Sequence, residues 1–302
     1  MTRLSTRFAA VVLLFIGVFH ASELNAQGLS VYISVDMEGI GGVVTGDQLG
    51  PGGFEYQRFR EFMTAEAVAA VEAAKEAGAT RILVSDSHGN GQNLLIDKFP
   101  EDVRIIRSWS RRFSMMAGID ESFDAVVFIG YHSSTNNVSG VRAHTFSSAN
   151  LTRVALNGTI VTEGAWNAAI AGEFGVPVVM VSGDEAVIEE VQSLIGAIEG
   201  AEVKQSLGFH SASVLTPAAS QKLIRETVLS ALKRLGEFKP YKLSSPITLD
   251  VSFKNYRPSE VLSYLPGVER TDSHSIRYVG KDMKEIADFM LVVTGYSADL
   301  EP

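Results

Sequence analysis

Short runs of β-branched and apolar residues recur along the chain, each stopping at a polar or glycine-containing loop, and longer stretches with apolar positions three and four apart lie between them. In the first run, Val31, Ile33 and Val35 alternate with Tyr32 and Ser34, which predicts a buried strand. It ends at Asp36 and Glu38 and enters the turn Gly39-Ile40-Gly41-Gly42. After a loop from Gly46 to Gly53, Phe59, Phe62, Met63, Ala67, Ala70, Val71 and Ala74 set a helical period, predicting a helix from Phe54 to Ala77 closed by Gly78. Arg81 to Val84 predicts a second strand, followed by the polar loop Ser85 to Gly91. Strand, helix and strand in this order predict a parallel βαβ unit.

The same alternation continues. Val103 to Ile106 and Ala125 to Ile129 read as strands, the latter closed by Gly130-Tyr131-His132. A polar loop from Ser133 to Gly140 leads to Val141-Arg142-Ala143-His144. Arg153 to Leu156 and Thr159 to Val161 flank Asn157-Gly158, a two-residue hairpin signal. Glu163 and Gly164 precede a helix from Ala165 to Glu173, a strand from Val176 to Val181 and a helix opened by Gly183-Asp184-Glu185. Beyond Lys204 the connections lengthen: a helix from Pro217 to Leu235, a linker from Lys239 to Pro246, a strand from Ile247 to Phe253, a short helix after Pro258, a strand from Ser275 to Val279 and a helix from Asp282 to Val293. The pattern predicts an α/β fold with a mostly parallel sheet flanked by helices in three layers, over residues 27–205. A smaller α+β unit over 206–302 completes it.

Composition adds three constraints. The chain has 302 residues and is 46% apolar, enough for a substantial core. Its first 26 residues differ from the rest: Arg3 and Arg7 precede an apolar run from Phe8 to Phe19, and the small residues Ala21, Ser22 and Ala26 follow. That is the layout of a signal peptide, and the run is shorter than the roughly 20 residues a spanning helix needs. A secreted or periplasmic protein, free of the membrane after cleavage, is expected. The net charge of −9 argues against nucleic acid as a partner. Without cysteine there is no thiol nucleophile and no thiolate-held zinc, so a metal would need histidine and carboxylate ligands.

Those ligand types fall at telling places. In extended chain, Asp36 and Glu38 would point the same way with Cα atoms roughly 6.5 Å apart, close enough for both to reach one cation. His88 and His132 also stand just past strand ends, and Glu163 follows the hairpin. Singly, each has an ordinary explanation: solvated acids, a turn histidine, a satisfied core histidine. Together, in one parallel sheet, they would converge on the edge where such sheets bind ligands. Five hard or borderline ligands exceed the need of one tetrahedral ion and point to a pair of divalent ions sharing a carboxylate. His144 fits either this edge or an inconsequential sheet edge, His210 and His274 lie outside it, and His20 falls in the leader. The glycine turn lacks the third glycine of a dinucleotide fingerprint, and neither a Walker motif nor a G-x-S-x-G elbow is present.

The motifs SVDMEGI (Ser34–Ile40), SDSH (Ser85–His88), GYH (Gly130–His132) and GVRAH (Gly140–His144), with Glu163 after the hairpin, resemble the zinc-dependent D-aminopeptidase family of the DppA type. VKQ (Val203–Gln205), NY (Asn255–Tyr256), LPG (Leu265–Gly267) and KDM (Lys281–Met283) extend the likeness over about residues 29 to 295. The resemblance implies two zinc ions per subunit held by Asp36, Glu38, His88, His132 and Glu163, with Asp36 bridging and His144 as an additional catalytic residue. It implies hydrolysis of N-terminal D-amino acids such as D-alanine from short peptides, and a homo-oligomer in the form of a decameric ring. On that reading the glycines after Glu38 leave room for the ions and substrate. The leader and a Ser133–Gly140 loop one residue longer depart from the family's pattern. Two rivals stand beside it: an exported peptide- or solute-binding protein, and a dinuclear metal amidohydrolase acting on another amide such as a cell-wall fragment.

Overall fold

The computed structural model describes residues 28–295; the leader expected over residues 1–26 lies outside the described residues. In chain order the elements are β1 (Leu29–Val35), α1 (Tyr56–Glu76), β2 (Ala79–Asp86), β3 (Arg104–Ile106), β4 (Ala125–Ile129), β5 (Leu151–Leu156), β6 (Thr159–Ile160), α2 (Glu163–Glu173), β7 (Val178–Asp184), α3 (Glu185–Ile195), β8 (Glu199–Gly208), β9 (Ser211–Val214), α4 (Pro217–Lys233), β10 (Ile247–Phe253), α5 (Tyr256–Leu262), β11 (Val268–Asp272), β12 (Ser275–Gly280) and α6 (Met283–Gly295). Seven strands form one sheet in the order β3-β2-β1-β4-β7-β8-β9, parallel except for β9, which returns antiparallel to β8. The other five form an antiparallel sheet, β11-β12-β10-β5-β6.

Strand alternation assigns the two faces of the parallel sheet. Val31, Ile33 and Val35 of β1 pack with Met63, Ala67, Ile224 and Val228, burying the apolar stripes of α1 and α4. Tyr32 of β1 and Phe128 of β4 face the other way, into a core with Trp166 of α2 and Val187 of α3. Leu249 and Val251 of β10 and Ile276 of β12 join that second core, so the antiparallel sheet closes over α2. This is the three-layer α/β arrangement the periodicity predicts.

The sheets do not divide at residues 205/206. The hairpin β5–β6 pairs through β5 with β10, and α4 packs on α1 of the parallel sheet. The cause is hydrophobic: Val154 and Leu156 find their apolar neighbours on β10 and β12, and Ile224, Val228 and Ala231 find theirs on α1. β8, β9 and β11 are strands the pattern did not predict. β8 carries few apolar residues, buries a lysine at 204, and takes its place from pairing with β7 and β9. The Asn157-Gly158 turn is as expected, with both residues at positive φ.

The order places β2 and β4 on opposite sides of β1, so the chain reverses direction across the sheet there. Such a reversal opens a crevice beyond the carboxyl ends of the strands. The exits of β1 and β4 meet closely at this point. Asp36 N–H donates to Ile129 O at 2.8 Å and Gly39 N–H to Gly130 O at 2.7 Å. A Cβ on Gly39 would overlap the Tyr131 carbonyl oxygen, and Gly130, at φ +71°, faces the Asp36 carbonyl just as closely. Gly39→Ala should therefore destabilise the fold by about 1–3 kcal/mol, because backbone must move to admit the methyl. A urea melt with a lowered midpoint and unchanged m-value is the expected result.

Candidate metal centre

Asp36, Glu38, His88, His132, His144 and Glu163 all line one cavity of about 410 Å³ at this crevice. Each arrives from a different local device. β1 stops at Val35, and the chain turns at Met37 to Ile40 instead of staying extended, yet both carboxylates still reach His88. Asp86, at the end of β2, accepts from the Asn93 backbone and side-chain amides and from Leu94 N–H, and Asn93 in turn donates to the His88 carbonyl, which fixes the loop carrying His88. His132 follows β4 through Tyr131, whose N–H donates to Ser182 O on β7. The loop onward is pinned where His144 N–H donates to Ser133 O, and Arg142 adopts φ +56° to deliver the ring. Glu163 opens α2, capped by Thr162, and its carboxylate also accepts from Phe146 N–H at 2.7 Å.

The distances form a chain of acid and imidazole. His88 Nδ1 lies 2.8 Å from Glu38 Oε2 and 3.3 Å from Asp36 Oδ1. His132 Nε2 lies 3.3 Å from Asp36 Oδ2 and 3.5 Å from Glu163 Oε1. The two oxygens of Asp36 thus face two different histidines. His144 stacks on His132 with ring centroids 3.9 Å apart, its Nε2 3.9 Å from both Glu38 and Glu163. Two groups, Asp36-Glu38-His88 and His132-His144-Glu163, each bring three donor atoms close enough together to hold one ion.

In all three histidines one ring nitrogen sits on a backbone carbonyl: His88 Nε2 on Leu49 O at 2.7 Å, His132 Nδ1 on Ser133 O at 3.1 Å and His144 Nδ1 on Arg142 O at 2.8 Å. A neutral ring then keeps its proton on that side and turns a lone pair to the cavity, the outer-shell arrangement of metal-ligating histidines. For His88 that lone pair would oppose the Glu38 oxygen at 2.8 Å, a repulsion unless a proton or cation lies between. Asp36 Oδ2, Glu38 Oε2 and His132 Nε2 are accordingly buried without a hydrogen-bond partner. The donor set, its tautomers and these orphaned atoms fit a divalent metal.

Protonation follows the same charges. Burial disfavours charge on His88, but Glu38 and Asp36 outweigh it and raise the ring well above its ordinary value. His132 behaves alike, with Glu163 and Asp36 overcoming burial to lift it to about 10. Burial raises Glu163 to about 7 against the pull of His132. His144 goes the other way: burial and the neighbouring His132 charge lower it to about 4, leaving it neutral near pH 7. Beneath the turn, burial lowers Lys204 to about 8.

Comparison with known proteins gives the family. A family model described as peptidase M55, D-aminopeptidase, matches residues 29–292. The chain belongs to this family. It is 33% identical over 267 residues to a D-aminopeptidase of Bacillus subtilis (strain 168), across 88% of this chain and 97% of that one. It is also similar to the solved structure of a zinc-dependent D-aminopeptidase from Bacillus subtilis called a self-compartmentalizing protease, with a TM-score of 0.85, 33% identity and the same coverage of both chains. As a member of a D-aminopeptidase family, the chain is poorly described by the solute-binding alternative.

The sequence pattern brought Asp36, Glu38, His88, His132 and Glu163 to one edge, and His144 joins them; His210 and His274 are exposed elsewhere. The glycines after Glu38 need a different account from the one expected. None lines the cavity: Gly39 abuts Gly130 and Tyr131, Gly41 abuts Ser220 and Glu66, and Gly42, at φ +90°, abuts Phe59. They let the turn pack into the protein instead of leaving space for ligands. Leu49, Ser133 and Arg142 act through backbone carbonyls and carry no side-chain signal, whereas Trp109, Met115, Phe146 and Leu291 of the cavity wall read as ordinary core or loop residues.

Metal entering this site must displace the protons that His88 and His132 carry, because a ligating imidazole is neutral. With both pKa values raised, zinc affinity should climb through the neutral range by about tenfold per pH unit for each proton displaced, and fall on acidification. Calorimetric titrations with zinc in buffers of different ionisation enthalpy should show net proton release near pH 7; pH-independent affinity without proton release would contradict the protonation described.

Proposed function

We propose that the protein is a zinc metallopeptidase that removes an N-terminal D-amino acid of the D-alanine type from short peptides. The observation that carries the reading is the division of Asp36, one oxygen toward His88 and the other toward His132, which suits a carboxylate bridging two ions. Glu38 and His88 would complete one set of ligands, and His132 and Glu163 the other. Zinc is the metal of the similar Bacillus subtilis structure, and the histidine and carboxylate donors suit it.

Bound zinc acidifies water and polarises a carbonyl oxygen. The chain's residues supply the rest. His144, neutral and with the Nε2 lone pair turned to the cavity between Glu38 and Glu163, can accept the proton of the attacking water at Nε2 and pass it to the leaving amine. Its stacking on His132 and its bond to the Arg142 carbonyl fix that direction. Trp109, Met115, Phe146 and Leu291 form an apolar wall for the side chain at the cleaved end. Among the described residues the lining carries no Lys or Arg, so no fixed cation there would hold a substrate's carboxylate end. This favours release from the amino terminus. The D preference rests on the family.

Self-association belongs to the same proposal, since the similar structure is described as self-compartmentalizing, and a decameric ring would enclose sites of this kind. Export to the periplasm or outside the cell follows from the leader pattern in residues 1–26. The test pairs metal analysis with turnover on matched D-Ala and L-Ala peptides. Glu38→Ala or His132→Ala should lose zinc and drop kcat by on the order of 10³-fold or more. His144→Ala should retain its zinc and lose about 10²–10⁴-fold in kcat. Wild-type zinc content with full activity in all three variants would overturn the assignment, and two bound zinc ions without hydrolysis of either peptide would favour another amide as substrate.

A further inference from the structure

The turn that carries Glu38 is held from underneath by a buried ammonium group. Lys204 of β8 is 2% exposed, and its Nζ donates to three carbonyls of this one turn: Glu38, Ile40 at 3.3 Å and Val43 at 2.7 Å. An ammonium has three hydrogens, and all three are engaged. Among the described residues no carboxylate lies within 4.0 Å of Nζ, so the group binds backbone and forms no ion pair. From the helix side, Glu66 of α1 accepts Gly41 N–H at 3.0 Å. The turn is therefore gripped by a cation on its carbonyls and an acceptor on its amide, from two elements far apart in sequence.

That grip is what aims Glu38. With its carbonyl fixed by Lys204, the residue holds its carboxylate at the cavity, 2.8 Å from His88 and 3.9 Å from His144. Without a donor, three inward carbonyls of a buried turn would need other partners, and the turn would have to rotate to find them. We infer that Lys204 is the positioning residue of the Glu38 arm: it sets the direction of that carboxylate and thereby the affinity of the Asp36-Glu38-His88 group for its ion. The inference rests on the two-ion reading above. Lys204 is not among the residues that line the cavity and would act only through the turn. Asp36, His132 and Glu163 take their positions from other contacts, so the second group should be spared.

The experiment compares full-length wild type, Lys204→Met and Val203→Ala, the last a cavity-forming change at the buried neighbour on the same strand. Zinc content is measured by mass spectrometry after equilibration against graded chelator, and the cobalt-substituted proteins are compared by visible absorption. Circular dichroism and thermal melting establish folding. Lys204→Met should stay folded, lose one of two ions about 10–100-fold more readily and keep the other, with an altered cobalt spectrum. Val203→Ala should melt earlier yet hold both ions as wild type does. If Lys204→Met does not fold, Lys204→Gln, which keeps an amide donor on a shorter stem, takes its place with the same expectation. Two ions held with wild-type affinity in the lysine variant, or the same loss in Val203→Ala, would overturn the inference while leaving the two-ion reading intact. Wild type that binds no zinc would overturn that reading and this inference with it.

Discussion

Three buried carboxylates meeting in one cavity cannot all keep their charge without positive charge among them. Asp36, Glu38 and Glu163 are each at most 5% exposed, so water screens them poorly and their repulsion acts at low effective dielectric. The rest of the site answers this constraint. His88 and His132 sit between the acids and are pushed toward the protonated form, while the histidine furthest from that need, His144, stays neutral. The same arrangement that draws protons onto two imidazoles draws divalent cations more strongly, and the ring nitrogens facing away from the cavity are already tied to backbone carbonyls.

The fold explains why acids so unfavourable to one another are found together. Parallel strands deliver their carboxyl ends to one edge, and the reversal of order about β1 brings β2 and β4 to either side of it. His88, Asp36 with Glu38, and His132 then come from three adjacent strand exits. Glycine at 39 and 130 lets two of those exits touch backbone to backbone, and Lys204 and Glu66 brace the turn between them from below. Cores on both faces of the sheet, α1 with α4 and α2 with the antiparallel sheet, supply the stability that holds the charged edge in place.

How much of this is legible in the sequence depends on whether a feature is local. The β1, β4 and β10 runs and the Asn157-Gly158 turn carry their period or turn chemistry on the surface of the sequence, and the structure has them where the pattern puts them. Five of the six candidate residues that line the cavity, Asp36, Glu38, His88, His132 and Glu163, could be picked out because they stand at strand ends or just past a hairpin. β8 could not, since a strand with a buried lysine and polar neighbours has no strand signal until β7 lies beside it. The same holds for the role of Lys204, which depends on carbonyls more than 160 residues away. Nor could the glycines' role be read, because whether a missing side chain serves a ligand or a neighbouring backbone depends on what faces it in space.

On the two-ion reading, Asp36 would serve both ions, one on each side of its carboxylate. Diffraction from crystals of the zinc-loaded protein at the zinc absorption edge tests this most directly. Two anomalous peaks are predicted, one within about 2.0–2.2 Å of oxygens of Asp36 and Glu38 and close to His88, the other equally near the second oxygen of Asp36 and Glu163 and close to His132. A single peak, or two peaks of which neither lies at coordinating distance from Asp36, would contradict it.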